Sequence, residues 1–436
     1  MRLIPSQVRK HNFTITAMAM STIMPSQQPP RTSSSTPIAY FDAHNHIHLS
    51  MQGGIPPLTT EAMYLMSGDD NKGPIANTPI ESENDISSHA DSIVHAFSSK
   101  KEEVVRDEFS LRIRGMAIMS TQPRDFPIVK QLANALCDWD TNERSATTID
   151  LRNEMDVVRC YGVHPWFLKR ANNDFANCAN LSMHHGPAWI NYLKYNLESD
   201  PTSHVGEIGL DAARYDIDPL TKEKVLAATM DSQIEAFESQ MHLAADLKRS
   251  VSVHAVKCWG PLMNSLNDIK KARMKMRKEH KSLRQRLERE RELCESDDER
   301  NHIIERLKGI EDDVLILPPI IYFHAFGGKP AVVDQLDAIC REKSMTSYVT
   351  ETFYGFAPVV NFRSPKTESV LQKVGIKRLV LESDLEDYHC VPNDLETSAV
   401  FTARVFGMEK DEVIRRTNSN ARYIYGLVND SMTKLK

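Results

Sequence analysis

Eight short apolar runs recur along the chain: IAYFDAH (38–44), LRIRGMAIM (111–119), VVRCYGVH (157–164), HVGEIGL (204–210), VSVHAV (251–256), PIIYFHAF (319–326), SYVTETF (347–353) and RLVLESD (378–384). Most are near-continuous rather than alternating, the pattern of strands buried on both faces of a parallel sheet. Between several of them apolar residues return at helical spacing, over 221–249, 331–343 and 395–426. Alternating strands and helices predict an α/β protein, and eight repeats predict a (β/α)8 TIM-type barrel. With 436 residues, the chain has room for one such barrel with loop insertions.

Three stretches fall outside that pattern. Residues 1–37 lack Asp and Glu and are rich in Ser and Thr, with Arg2, Arg9, Lys10 and Arg31 as the basic positions. They predict a disordered or transit-like tail, so organellar import stands beside a cytoplasmic or nuclear location. Residues 66–110 are polar and poor in aromatics, which predicts a loop insertion with a helix near its end. Residues 265–313 are dense in charge: from Lys270 to Arg291 there are eleven Lys or Arg against three Glu, a net +8. Leu266, Ile269, Met276, Leu283 and Leu287 keep a helical seam broken by Arg273 and His280, which predicts a helical hairpin. Such an arm either docks nucleic acid or a protein partner, or is a solvated face with no partner. The barrel proper is expected over 38–430.

Composition narrows the classes further. A net charge of -6 argues against a protein that coats nucleic acid by charge alone, though it leaves room for a local phosphate site. Seven scattered cysteines without a CxxC pair read as reduced thiols in an intracellular protein. No apolar run approaches the ~20 residues that cross a bilayer.

The chemistry sits at the ends of the predicted strands. His44 and His46 close the first, Glu207 the fourth, His254 the fifth, His324 the sixth and Asp384 the eighth. The carboxyl ends of barrel strands are where catalytic groups collect. Four imidazoles and two carboxylates suffice for two divalent ions if one carboxylate bridges, and such a pair activates water for hydrolysis.

These residues lie in a set of motifs: DxHxH (Asp42, His44, His46), GVHPW (Gly162 to Trp166), VGEIGLD (Val205 to Asp211), VSVHA (Val251 to Ala255), YFHAFGG (Tyr322 to Gly328) and LESD (Leu381 to Asp384). In that order they resemble the TatD family of metal-dependent deoxyribonucleases, amidohydrolase-like metallo-hydrolases. The resemblance spans 38–426 and takes in Gln233, Phe237 and Gln240 and the closing TNSNARYIYGL. It implies that His44, His46 and Asp384 hold one ion, that His254 and His324 hold a second, and that Glu207 bridges them. The resemblance implies Zn, Mn or Mg as the ions. Asp384 would also take the proton of the attacking water, His164 would contact substrate phosphate, and Asp42 would orient the paired histidines from behind. His48 has no counterpart as a ligand.

The chain also departs from the family. The usual H-x-R after the second-ion histidine is His254-Ala255-Val256, with Lys257 next, and Lys does not reproduce bidentate grip on phosphate. The usual H-x-F-S-G is His324-Ala325-Phe326-Gly327-Gly328, and a proline-rich stretch is replaced by LEDYHCVPND. DNA is the substrate the resemblance implies. Small esters, amides or phosphoesters, or a weakly catalytic binding module using the basic arm, are the alternatives.

Overall fold

The computed structural model describes residues 39–50, 92, 113–142, 155–176, 187–218, 220–294, 296–310, 314–340 and 349–427, within the unit 37–436. The tail over 1–37 and, apart from Ser92, the insertion over 66–110 lie outside the described residues.

Eight parallel strands form one sheet. They are β1 (Tyr40–Asn45), β2 (Ile113–Met119), β3 (Asp156–Tyr161), β4 (His204–Asp211), β7 (Val251–Val256), β8 (Ile320–Phe323), β9 (Glu351–Phe356) and β10 (Leu379–Leu381), hydrogen-bonded in that order. A hairpin of β5 (Tyr215–Ile217) and β6 (Lys224–Leu226) stands apart after β4. Helices flank the sheet: α1 (Phe126–Asn142), α2 (Leu168–Asp174), α3 (Ile190–Ser199), α4 (Met230–Asp246), α5 (Trp259–Leu293), α6 (Asp297–Lys308), α7 (Pro330–Cys340), α8 (Pro358–Asn361), α9 (Thr367–Val374), α10 (Val391–Phe406) and α11 (Lys410–Ile424). Among the described residues no helix is long and apolar enough to cross a membrane.

The two ends of the sheet meet. Asp384 N donates to His44 O at 3.0 Å and His46 N to Leu385 O at 2.9 Å. The TNSNARYIYGL motif supplies the clip. Asn418 donates to Ala39 O at 2.6 Å and accepts from Phe41 N at 2.9 Å, while Asn420 donates to Ile376 O and Leu379 O at 2.9 and 2.7 Å. Tyr425 donates its hydroxyl to Ala43 O at 2.7 Å. Phe41, Ala43, Ala117, Met119, Val158 and Cys160, at alternate strand positions, form one buried cluster with Ile424 and Tyr425 at the end of α11.

Three expected elements shift. The helix expected over 221–249 begins only at Met230, because Asp218 Oδ1 accepts from Leu220 N and Thr221 N at 2.8 Å and turns the chain into the β5–β6 hairpin. Thr229 then caps α4 by accepting from Ser232 N. The helix expected over 395–426 is two, ended at Gly407, whose φ of 62° suits glycine at a helix terminus. The seventh strand runs Glu351–Phe356 instead of ending at 353. Gly355 lies within it, where a Cβ would sit 2.2 Å from Glu382 Oε2.

Helix α5 has 35 residues, about 52 Å at 1.5 Å per residue. Its first part packs on the barrel through Leu262, Leu266 and Ile269. Arg273 is buried where that packing ends. Its guanidinium donates to Leu315 O, to His242 O at 3.3 Å and to Asp246 at 2.7 Å, groups at the end of α4 and before β8. The amino ends of the strands are therefore level with Arg273, and the rest of α5 projects beyond the pole opposite the strand carboxyl ends. There Leu287 packs with Ile303, Leu307 and Ile310, so the residues of one broken seam serve two surfaces. Arg273→Met is expected to lower stability by about 1–3 kcal/mol, because buried carbonyls lose their donor. Thermal denaturation checks this, and an unchanged midpoint would show that the carbonyls find other partners.

Candidate metal centre

Glu207 stands inside β4 with imidazoles on both carboxylate oxygens. Oε2 lies 3.0 Å from His46 Nε2 and 3.6 Å from His44 Nε2. Oε1 lies 2.6 Å from His324 Nε2, 3.0 Å from His254 Nδ1 and 3.3 Å from His164 Nε2. Asp384 Oδ1 is 3.8 Å from both His44 and His46 Nε2 and 4.0 Å from His324 Nδ1. Strand β1 ends at Asn45 and the chain turns into a short 3-10 helix (Ile47–Ser50), so His48 leaves the group and faces Asp125 at 3.4 Å. Asp384 has a left-handed backbone, with φ 56°, a conformation that costs a non-glycine residue about 1–3 kcal/mol.

The ring orientations are set from behind. His46 Nδ1 donates to Met119 O at 3.0 Å, so Nε2 presents a lone pair to Glu207 Oε2. His254 Nε2 donates to Asp211 Oδ2 at 3.1 Å, so Nδ1 presents a lone pair to Oε1. His44 Nδ1 is held by Ser252 Oγ at 3.0 Å. Hydrogen bonds on the far nitrogen are how proteins fix the tautomer of a ligating histidine. His164 differs: its Nδ1 accepts from Trp166 N, which leaves Nε2–H to donate to Glu207.

Two lone pairs facing at 3.0 Å repel unless a proton or cation lies between them. Burial pulls His46 and His254 down, but Glu207, joined by Asp211 at His254, outweighs it and raises each to about 9. His44 is held well below its usual value by burial and the adjoining His324, with which it stacks at 3.8 Å. Burial opposes ionisation of Glu207, yet the surrounding histidines, His164 and His324 foremost, hold it well below the usual range. Buried His324 approaches Glu207 Oε1 through Nε2 without hydrogen-bond alignment, and its Nδ1 has no hydrogen-bond partner. Divalent-ion bonds of 2.0–2.2 Å place tetrahedral donors about 3.4 Å apart, close to the 3.0–3.8 Å that separate Nε2 of His44 and of His46 from each other, from Glu207 Oε2 and from Asp384 Oδ1. The donors fit a divalent cation.

The compact groups of ligand atoms are His44–His46–Glu207, His44–His324–Asp384 and His164–Glu207–His254. His324 stands between them, with Nδ1 beside Asp384 and Nε2 on Glu207 Oε1 together with His254. Asp42 is buried and accepts from Ser383 N and Oγ and from His44 N. It holds the backbone of the motif, while Ser252 and Met119 hold the rings. Lys257 is exposed, one residue beyond β7.

Asp211, Ser252 and Met119 carry no site role in the sequence reading. Asp211 was legible only as the last letter of VGEIGLD. That motif is demanding for a visible reason: Gly209 has φ 149°, and a Cβ there would lie 2.0 Å from His254 O. Gln233 then clasps the backbone of Asp211, and Gln240 that of Val163, each with both amide atoms.

Without metal, His46 and His254 have folded-state values above the 6.5 of the unfolded chain. The stability they contribute is complete below pH 6.5 and is lost as pH rises through about 9. Asp42, raised by burial to about 7, acts in the same direction. The melting temperature in chelator is therefore expected to fall between pH 6.5 and 9. Divalent ions, which compete with those protons, should bind more tightly over the same interval. Calorimetry with and without chelator checks both signs.

The sequence model described as TatD related DNase matches residues 85–426. The chain belongs to that family. TatD proteins are metal-dependent hydrolases, and the donor cluster is of the kind they need. The matched span starts after β1, so His44 and His46 enter the centre through strand pairing with β2 and the seam with β10. Cut9-interacting protein scn1 of Schizosaccharomyces pombe is 23% identical over 348 residues, covering 72% of this chain and 92% of its own. Among solved structures, YJJV, a TatD homologue of Escherichia coli K12, aligns with a TM-score of 0.42 at 17% identity, over 72% of this chain and 87% of its own. A TatD family hydrolase of Entamoeba histolytica aligns with a TM-score of 0.45 at 12% identity, over 90% and 99%.

Proposed function

We propose that this TatD protein hydrolyses phosphodiester bonds of DNA with two divalent ions, Zn, Mn or Mg, at Glu207. The observation that carries the reading is the pair of lone-pair contacts, His46 to Oε2 and His254 to Oε1, on the two oxygens of one carboxylate. His44, His46 and Asp384 would hold one ion and His254 and His324 the other, with Glu207 a donor to both. When bound, the ions lower the pKa of water and offset charge on the phosphoryl oxygens. Asp384 takes the proton of the attacking water. The water oxygen bonds to phosphorus as the ester P–O bond breaks, and the departing oxygen receives a proton. His164 orients Glu207 through Nε2–H and faces the substrate, and Lys257 approaches from the rim. Residues 38–430 act as one catalytic unit, carrying 66–110 and 265–313 as insertions.

The test is cleavage of end-labelled single-stranded DNA by the purified protein with Mg²⁺, Mn²⁺ or Zn²⁺. Loss in chelator supports the reading. No cleavage by protein carrying about two metals per chain would discard DNA as substrate and move attention to carboxylic esters, amides and small phosphoesters.

A second reading rests on the α5–α6 hairpin at the opposite pole. There the barrel carries a partner, as the name of the scn1 relative says of that protein. Removal of the hairpin would then abolish partner binding while leaving metal content intact.

A further inference from the structure

The arginine that the family pattern places after the His254 motif is absent: its position is Val256. A guanidinium reaches the same rim from another strand. Arg214, just beyond β4, holds its guanidinium carbon 4.9 Å from the centroid of the Trp166 ring. That indole stands edge to face with His254 and His164, with ring centroids 5.9 and 5.0 Å apart. Both members are pinned to the carboxylate behind His254. Trp166 Nε1 donates to Asp211 Oδ2 at 2.7 Å, and Ala213 N and Arg214 N donate to Asp211 Oδ1 at 2.6 and 3.1 Å. Arg214 and Trp166 are nevertheless exposed.

We infer that Arg214, presented on Trp166, binds the phosphate next to the scissile one and so makes the site select a polynucleotide strand over an isolated phosphodiester. The inference rests on the phosphodiesterase reading above. Trp166 carries Arg214 on its ring and packs edge to face with His164 and His254, so the exposed guanidinium sits at the rim of the ligand set and not among the donors around Glu207. Neighbouring phosphates on a strand are spaced by several ångströms, so a cation at the rim meets the next phosphate. A planar guanidinium can grip phosphate with two parallel N–H bonds, and stacking limits the rotamer freedom lost on binding. The shared Asp211 carboxylate keeps this rim in register with His254.

The experiment compares wild type, Arg214→Gln and Arg214→Lys on d(TpT), which has one phosphodiester, and d(TpTpT), which has two. Arg214→Gln is expected to raise KM for d(TpTpT) about 10- to 100-fold with kcat nearly kept. The d(TpT) parameters should stay unchanged, and Arg214→Lys should fall between. Equal effects on both substrates, or none on either, would overturn the inference while leaving the hydrolase reading in place. If metal-loaded wild type cleaves neither, the phosphodiesterase reading falls and this inference with it.

Discussion

Glu207→Gln is expected to lose both metal and turnover, with kcat/KM down by at least about 10³-fold. The carboxylate faces His44 and His46 on one oxygen and His164, His254 and His324 on the other, all within 3.6 Å. An amide of the same shape offers one uncharged oxygen and one N–H₂ group. The N–H₂ end meets lone pairs at His46 or at His254, whichever way the amide turns, and neither orientation carries the charge that offsets two cations. The raised values of His46 and His254 depend on the same carboxylate, so the fall in melting temperature between pH 6.5 and 9 should shrink in this variant. Metal analysis, kinetics and calorimetry on one preparation read all three consequences. Retained metal and retained activity together would remove Glu207 from the centre.

The second large effect is expected at Asp384→Asn. Removing a positioned general base costs about 10²- to 10⁴-fold, here with most of the metal kept, because His44, His46 and Glu207 remain as donors. Burial raises the Asp384 carboxyl while His324 and His46 oppose the rise. Its ionisation should therefore shape the acid limb of the rate profile, and that limb should flatten in the variant. The left-handed backbone at Asp384 is tied by its own N–H to His44 O, so the substitution leaves its position unchanged. A variant as active as wild type would assign the proton to another group.

What the sequence revealed and what it hid divide along physical lines. Strands were legible because buried parallel strands are continuous apolar runs, and a polar ligand within or just after such a run stands out: His254 after VSV, inside β7, and His324 after IIYF, just beyond β8. The residues that orient those ligands have no such contrast. Ser252 meets His44 from 208 residues away and Ser383 meets Asp42 from 341, and a serine inside a strand reads the same whether or not it holds an imidazole. Asp211 is partner to His254, Trp166 and its own loop at once, yet it resembles any acidic residue that begins a turn. Periodicity misled where a local cap overrode it, at Asp218, Thr229 and Gly407, and the seventh run was read too short at a strand whose Gly355 leaves room for Glu382.

The clip formed by Asn418, Asn420 and Tyr425 carries a consequence for how the protein comes into being. His44 leaves the ribosome early and Asp384 some 340 residues later, and the side chains that fasten their strands together emerge later still. During translation, a nascent chain holds Glu207 and most of the histidines well before the ring can shut. Competence to bind metal at the seam thus arrives with α11, and a product truncated just before Asn418 carries every named ligand on an open sheet.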